Sequence, residues 1–376
     1  MDFFQGCFDG ESEILETAAK SDIVLFSCTT PTFDYCLDIA KKLKLKNKSL
    51  KTVFGGYHTS ALGRDCSNEF IDHVVVGEGE DAMCQILDGK AGQLVTGPLM
   101  QFADLAWPDR HLIKNNRNIE VAFADNKLRI TSFQSHRGCP FSCKYCADGF
   151  NKVLYPGNTN PIRYRDPVDL LNEIEKVTKD YSLDMIKFCD PTWNTSVAWV
   201  KQFCHEKIKR NNKTPFYPNI HAGVCDQEMM DLMQRAGCFQ IAVGIESGSP
   251  KILKDIGKGT TRESILRGTL MAKKAGIPMR GYFILGMPNE TEDDLKLTEK
   301  FAEELPIDEY GFTILCPYPG TAMFDAARFA DVNWEKADEY SNDFWSTAHL
   351  TNGQIKQWQK HLVDKFKNRL TQRSRG

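Results

Sequence analysis

RGCPFSCKYCADGF, residues 137–150, is the stretch on which the reading of this chain turns. It sets Cys139, Cys143 and Cys146 at C-x3-C-x2-C, directly behind ITSFQSHR (130–137), a run with the composition of a buried strand. Thiolates are the natural ligands of iron–sulfur clusters, and three of them on one short loop can converge on a single cube. Three protein ligands for a four-iron cube leave one iron open, which suits a bound cofactor or substrate better than simple electron carriage. The competing reading is a zinc site completed by His136 or another side chain. Structural zinc usually pairs one Cys-x2-4-Cys with a second pair well downstream, and the sequence holds no such second pair. Inert buried thiols would not need this spacing.

Outward from the loop, strand-like and helix-like stretches alternate for some way downstream. The strand candidates are 130–137, MIKFCD (185–190), FYPNIHAG (216–223), FQIAVGIE (239–246), MRGYFILG (279–286) and YGFTILC (310–316). Helical patterns lie between them, for instance RESILRGTLMAKKA behind Thr261, closed by Gly276. Six consecutive β/α units predict a closed or partial TIM-like barrel with its chemistry at the carboxyl ends of the strands. Upstream, DIVLFSC (22–28), LKTVFGG (50–56) and IDHVVVG (71–77) are strand candidates, with helical patterns at 35–46 and 79–89. They predict a small, doubly wound parallel sheet. The expected division is an α/β domain over 1–92, a connector over 93–129 with a hairpin in VAFADNKLRI (121–130), the barrel over 130–320, and a helical extension over 321–376 that packs an amphipathic helix on the barrel.

Composition bounds the function. The net charge of −3 offers no global attraction for nucleic acid or an anionic membrane. No apolar run reaches the ~20 residues of a membrane span, and the acidic start MDFFQGCFDGESE lacks the basic and apolar parts of a signal peptide. Thirteen scattered cysteines, odd in number, argue against a disulfide framework and for a reducing cytoplasm.

The loop resembles the radical-SAM superfamily motif CxxxCxφC, with Tyr145 at the aromatic place. FCDPTWN (188–194), VGIESGS (243–249), RGYFILGMPNET (280–291) and CPYPGT (316–321) look like the matching segments of the subgroup that joins a cobalamin-binding domain to the barrel. VFGGYHTSA (53–61) and HVVVGEGE (73–80) look like the last strands of that domain. The resemblance implies a [4Fe–4S] cluster, S-adenosylmethionine and reductive cleavage to a 5′-deoxyadenosyl radical. The outcome would be methyl transfer from cobalamin or, without cobalamin, a cyclisation, rearrangement or oxidation. A non-catalytic iron–sulfur or zinc module is the alternative from another class. A small-molecule or natural-product substrate and an electron donor such as flavodoxin or ferredoxin are implied as partners.

Beside the three cysteines, the candidate cofactor residues are Tyr145, Asp190, Gly244, Glu246, Ser247, Arg280 and Gly286 for S-adenosylmethionine, and Gly55 and Gly56 for cobalamin. Glu246 and Asp190 are charges ending apolar strands, where a charge needs a reason. Each has a plain structural counterpart: an ion pair for Glu246, Asp190 and Arg280, a turn for the glycines. Phe141 and Tyr145 could flank the adenine or shield the cluster, and read equally as core. Cys189, Cys204, Cys225, Cys238 and Cys316 read as core thiols, Cys316 with a minor claim to catalysis at the barrel mouth, and His221 as a candidate substrate contact. The chain departs from the family in two ways. The first strand, first helix and second strand of the cobalamin domain are not recognisable, and there is no D-x-H-x-x-G. Half a doubly wound sheet exposes a strand edge and an apolar face, so a truncated relative or a partner subunit that completes the domain is expected.

Overall fold

The computed structural model describes residues 1–155 and 162–373. The chain forms two compact units. The first holds Met1–Lys114, the described part of Tyr145–Asn158, and Pro317–Ala337; the second holds Asn115–Lys144, the described part of Thr159–Cys316, and the described residues from Asp338 on.

In the first unit, α1 (Glu11–Ala18) precedes an alternation of β1 (Ile23–Ser27), α2 (Phe33–Lys46), β2 (Lys51–Gly55), α3 (Tyr57–Leu62), β3 (His73–Gly77), α4 (Gly79–Leu87) and β4 (Leu94–Gly97). The four strands lie in sequence order and all pair parallel. Side chains alternate between the two faces of a strand, and here both faces carry apolar residues. Phe54, Val74 and Val76 pack with Cys28 and Ala40, while Val53, Val75 and Val95 pack with Ala82 and Ile86 of α4. Burial on both faces is why these strands read as continuous apolar runs. Each such side chain contributes about 1.5–3 kcal/mol. Ile14, Leu15 and Ala18 seat α1 against Ile39 and Leu43 of α2. β1 forms an edge of the sheet, and Leu25 on it is 50% exposed.

Two expectations are corrected. The stretch taken as connector supplies β4, which pairs with β3 from Val74↔Leu94 to Gly77↔Gly97. The hairpin expected at 121–130 is instead the end of a helix, α5 (Asn115–Asn126), followed by the strand β5 (Ile130–Phe133). Val121 and Phe123 favour a strand intrinsically, but Ile119 is fully buried and Asn115 accepts a hydrogen bond from Thr131 on β5. Tertiary contacts override a weak local preference here.

After β5 come β6 (His136–Arg137), the short α6 (Asn151–Leu154) and β7 (Arg163–Tyr164), which pairs antiparallel with β6. Then follow α7 (Pro167–Tyr181), β8 (Met185–Phe188), α8 (Val197–Lys209), β9 (Phe216–Tyr217), β10 (Asn219–Ile220), α9 (Gln227–Arg235), β11 (Ile241–Glu246), α10 (Pro250–Asp255), α11 (Arg262–Ala275), β12 (Met279–Leu285), α12 (Glu292–Glu304) and β13 (Glu309–Ile314). β5, β8 and β9 form one parallel sheet and β10 to β13 another. Pro218, which has no N–H to give, separates β9 from β10. β9 pairs with β8 and β10 with β11, so the interrupted third strand joins the two sheets into six parallel strands in sequence order. That is the predicted partial (β/α)6 barrel.

The helices α7 to α12 each start on a side-chain cap: Asp166, Ser196, Asp226, Ser249, Thr261 and Thr291. Each cap is worth about 1 kcal/mol. α13 (Asn352–Arg373) buries Ile355, Leu362 and Phe366, the Phe366 ring lying 4.4 Å from Tyr310 on β13. This is the helix expected to pack on the barrel; residues 374–376 of that expectation lie outside the described residues. Among the described residues no helix is long and apolar enough to cross a membrane.

Candidate functional site

The loop with the first two cysteines leaves β6 and is held by residues from two later strand ends. Asp190, two residues past β8, is fully buried. Its Oδ1 accepts hydrogen bonds from the backbone N–H of Ser135 (2.8 Å) and His136 (2.9 Å) and lies 3.4 Å from Nδ1 of His136. Burial pushes its carboxyl up to about 6, against the opposing pull of the two amides. Thr192 places Oγ1 3.8 Å from the Cys139 sulfur. Phe141 lies flat on His221, just past β10, with ring centroids 3.9 Å apart and planes within 3°.

His221 is 3% exposed. Its Nδ1 accepts the Gly223 N–H at 3.2 Å, so the ring proton sits on Nε2, which faces the Lys258 carbonyl at 3.3 Å. Burial, and then the charge of Lys258, push it down to about 4, so the ring is neutral. With both nitrogens engaged inside the protein, the ring holds the loop. The sequence had offered it to a substrate.

Glu246 ends β11 with φ +66°, beside an irregularity in the pairing with β12 between Gly244 and Glu246. Its Oε1 is 2.5 Å from Nζ of Lys258, which also donates to the Gly244 carbonyl at 2.7 Å. Lys258 escaped the sequence reading; its one signal was a lysine between two glycines, GKG (257–259), in the loop after α10. Phe141, His221, Lys258 and Glu246 thus make an unbroken series of contacts from the cysteine loop to the end of β11.

Three other candidates are turned elsewhere. Ser247 is fully buried with Oγ 3.1 Å from Thr298 Oγ1 on α12, a packing role. Gly286 has φ +83°, and a Cβ there would lie 2.9 Å from Nε1 of Trp345, which donates to the Gly286 carbonyl at 2.6 Å. The missing side chain makes room for Trp345. The Gly286 amide donates to Glu290, another residue the sequence reading passed over. Glu290 is fully buried, its Oε1 has no hydrogen-bond partner among the described residues, and burial pushes its carboxyl up to about 8. Arg280 lies near the start of β12, in register with Ala242 and Glu309, on the end of the strands away from Glu246. Its guanidinium sits 3.8 Å from Glu309 and over the Tyr282 ring, the ion pair that was the structural counterpart of its cofactor reading.

Tyr145 and Cys146 belong to the first unit, Tyr145 half-buried and the Cys146 sulfur 3.9 Å from Asp148 Oδ2. Among the described residues no three His, Cys, Asp or Glu side chains gather closely enough to grip one metal ion. A cube asks less of the protein than a single ion does, because each thiolate binds a different iron. In the same unit Gly55 ends β2 and Gly56 follows it, ahead of α3. Gly56 has φ +101°, and a Cβ there would lie 2.6 Å from the Cys28 carbonyl. The turn is therefore closed against the chain after β1. Of the remaining cysteines, Cys204 and Cys225 are pushed up to about 12 by burial and Cys238 well above its usual value, as inert thiols should be. Cys316 is buried as well, but Cys189, expected in the core, is exposed.

Residues 133–302 match the Radical SAM superfamily and residues 4–87 the B12 binding domain family. An uncharacterized methyltransferase of Pyrococcus horikoshii is 28% identical over 359 residues, covering 89% of this chain and 76% of that protein. The anaerobic magnesium-protoporphyrin IX monomethyl ester cyclase of Rubrivivax gelatinosus is 26% identical over 338 residues, covering 82% of this chain and 59% of its own. Among solved structures, the radical S-adenosylmethionine methyltransferase TsrM of Kitasatospora setae superposes with a TM-score of 0.68 at 18% identity, over 84% of this chain and 67% of that one. The cobalamin-dependent radical enzyme OxsB with aqua-cobalamin gives 0.61 at 18% identity, over 95% and 54%. These likenesses establish a shared fold.

Proposed function

This chain is a radical-SAM protein with a B12-binding domain ahead of its radical-SAM domain, and on that footing we propose that it is a cobalamin-dependent radical-SAM methyltransferase acting on a small organic molecule. The observation that carries the reading is the hold on the cysteine loop: Asp190 on its incoming backbone and His221 on Phe141, between Cys139 and Cys143. A loop fixed that firmly is fitted to present thiolates in one geometry.

When bound, the cluster supplies the electron that opens the sulfonium of S-adenosylmethionine, and cobalamin supplies the methyl group. Cys139, Cys143 and Cys146 would hold three irons and leave the fourth to the amino and carboxylate groups of S-adenosylmethionine. Glu246, fixed by Lys258 at the carboxyl end of β11, is the acceptor offered to the cofactor's ribose or amino group. Gly55 and Gly56 would back the corrin. An electron donor such as flavodoxin or ferredoxin would deliver the electron.

Anaerobic reconstitution with iron and sulfide, with S-adenosylmethionine and hydroxocobalamin both offered, tests the reading. Expected are four irons per chain, release of 5′-deoxyadenosine on reduction, and a corrin absorbance that stays with the protein through gel filtration. Alanine at Cys139, Cys143 or Cys146 abolishes the first two. Deoxyadenosine without retained corrin would select a radical outcome that needs no cobalamin, and zinc without iron would overturn the enzyme reading.

A further inference from the structure

Residues 145–155 follow the second cysteine of the loop and belong to the same compact unit as the α/β sheet of the B12-binding domain. Two tyrosines fasten them. Tyr155 donates its hydroxyl proton to the Gly97 carbonyl (2.9 Å) and accepts from the Glu78 N–H (3.0 Å), and Leu154 packs beside Cys28 and Phe54. At the other end Tyr57, on the first turn of α3 directly after Gly55-Gly56, donates to Asp148 Oδ1 at 2.8 Å. The second oxygen of Asp148 is 3.9 Å from the sulfur of Cys146. Tyr57 is 51% exposed and adds little to the core.

We propose that Tyr57 is a positioning residue through which the B12-binding domain tunes the cluster: it holds the Asp148 carboxylate beside the Cys146 sulfur and so lowers the cluster's reduction potential. The inference rests on Cys146 being a cluster ligand, as proposed above. As a thiol, Cys146 gives Asp148 a proton to hold. As a metal thiolate it gives none, and the carboxylate then has reason to swing toward water. The Tyr57 hydroxyl opposes that motion. A fixed negative charge this close disfavours adding an electron to the cluster, and charge and hydrogen bonding at the sulfurs are main determinants of such potentials. A lower potential makes the reduced cluster a stronger donor to a sulfonium.

The test uses the full chain, reconstituted anaerobically, as wild type, Tyr57→Phe, Asp148→Asn and the double variant. Iron content, the electron paramagnetic resonance of the reduced cluster and its midpoint potential are measured by redox titration. Expected are wild-type iron in all four, an upward shift of the midpoint in Asp148→Asn, a smaller shift of the same sign in Tyr57→Phe, and no further shift when Tyr57→Phe is added to Asp148→Asn, because Tyr57 acts only through Asp148. An unmoved midpoint and signal in Tyr57→Phe, or additive shifts in the double variant, would overturn the proposal. A wild-type chain that takes up no iron overturns the ligand reading beneath it, an outcome distinct from either.

Discussion

The ammonium of Lys258 lies 2.5 Å from the carboxylate of Glu246, and the two side chains are 9% and 7% exposed. A buried pair roughly balances its own desolvation, but removing one partner strands the other charge. Lys258→Met is therefore expected to cost about 3–5 kcal/mol, while Lys258→Met with Glu246→Leu recovers most of it. Urea denaturation of the four members of the cycle checks this. A single Lys258→Met variant as stable as wild type would mean that Glu246 finds water or another partner.

Asp190 gives the clearest split between two substitutions. Asparagine keeps an oxygen for the Ser135 and His136 amides; alanine leaves two buried donors unmet, at about 1–3 kcal/mol each. Asp190→Asn should take up iron like wild type, whereas Asp190→Ala should lose most of its iron on gel filtration after reconstitution. Equal iron in both would detach Asp190 from the cluster loop.

What was legible in the sequence follows from how local the signal was. The barrel strands are short apolar runs between capped helices, and the caps at Asp166, Ser196 and Thr261 are read three residues at a time. The cysteine loop is likewise a contiguous motif. β4 and α5 were missed because LVTG is brief and α5 owes its form to burial of Ile119 against the barrel, which no window of its own sequence displays. Lys258 and Glu290 were missed for a related reason: each lies within fifteen residues of its partner in sequence, but neither spacing is a motif. The surroundings of Arg280 and Gly286 were not legible because position along a strand decides what a residue can reach, and the apolar pattern shows only that a strand exists.

Glu290 should make the protein less stable as pH rises. Its carboxyl titrates at about 8 in the fold against 4.5 for the free group, so the folded state keeps a proton that the unfolded chain has lost. Between those values stability falls with rising pH by up to about 1.4 kcal/mol per unit. Glu290→Gln, which can still accept the Gly286 and Met287 amides, removes that slope. Urea midpoints at pH 5.5 and 7.5 for the two proteins measure it, and parallel behaviour would show that Glu290 is ionised throughout.

His221 supplies a slope of the opposite sign. The folded ring titrates at about 4 against 6.5 when free, so in that window the unfolded chain binds the proton that the fold refuses. Its contribution is complete above pH 6.5 and is lost as pH falls toward 4, by up to about 1.4 kcal/mol per unit. Protonating Nδ1 also breaks the bond from the Gly223 amide and puts a charge against Lys258. Phe141 lies on that ring, so the loop should loosen along with it. Reconstituted wild type is expected to release iron faster at pH 5 than at pH 7, and Phe141→Ala to release it as fast at pH 7 as wild type does at pH 5. A His221→Phe variant, which can keep an aromatic stack without a titrating ring, should lose iron with a weaker acid dependence over the same interval, the remainder belonging to Asp190 on the same loop. If its rate rises with acid as steeply as that of wild type, the acid sensitivity belongs to Asp190 or to the cluster's own ligands and His221 plays no part in it.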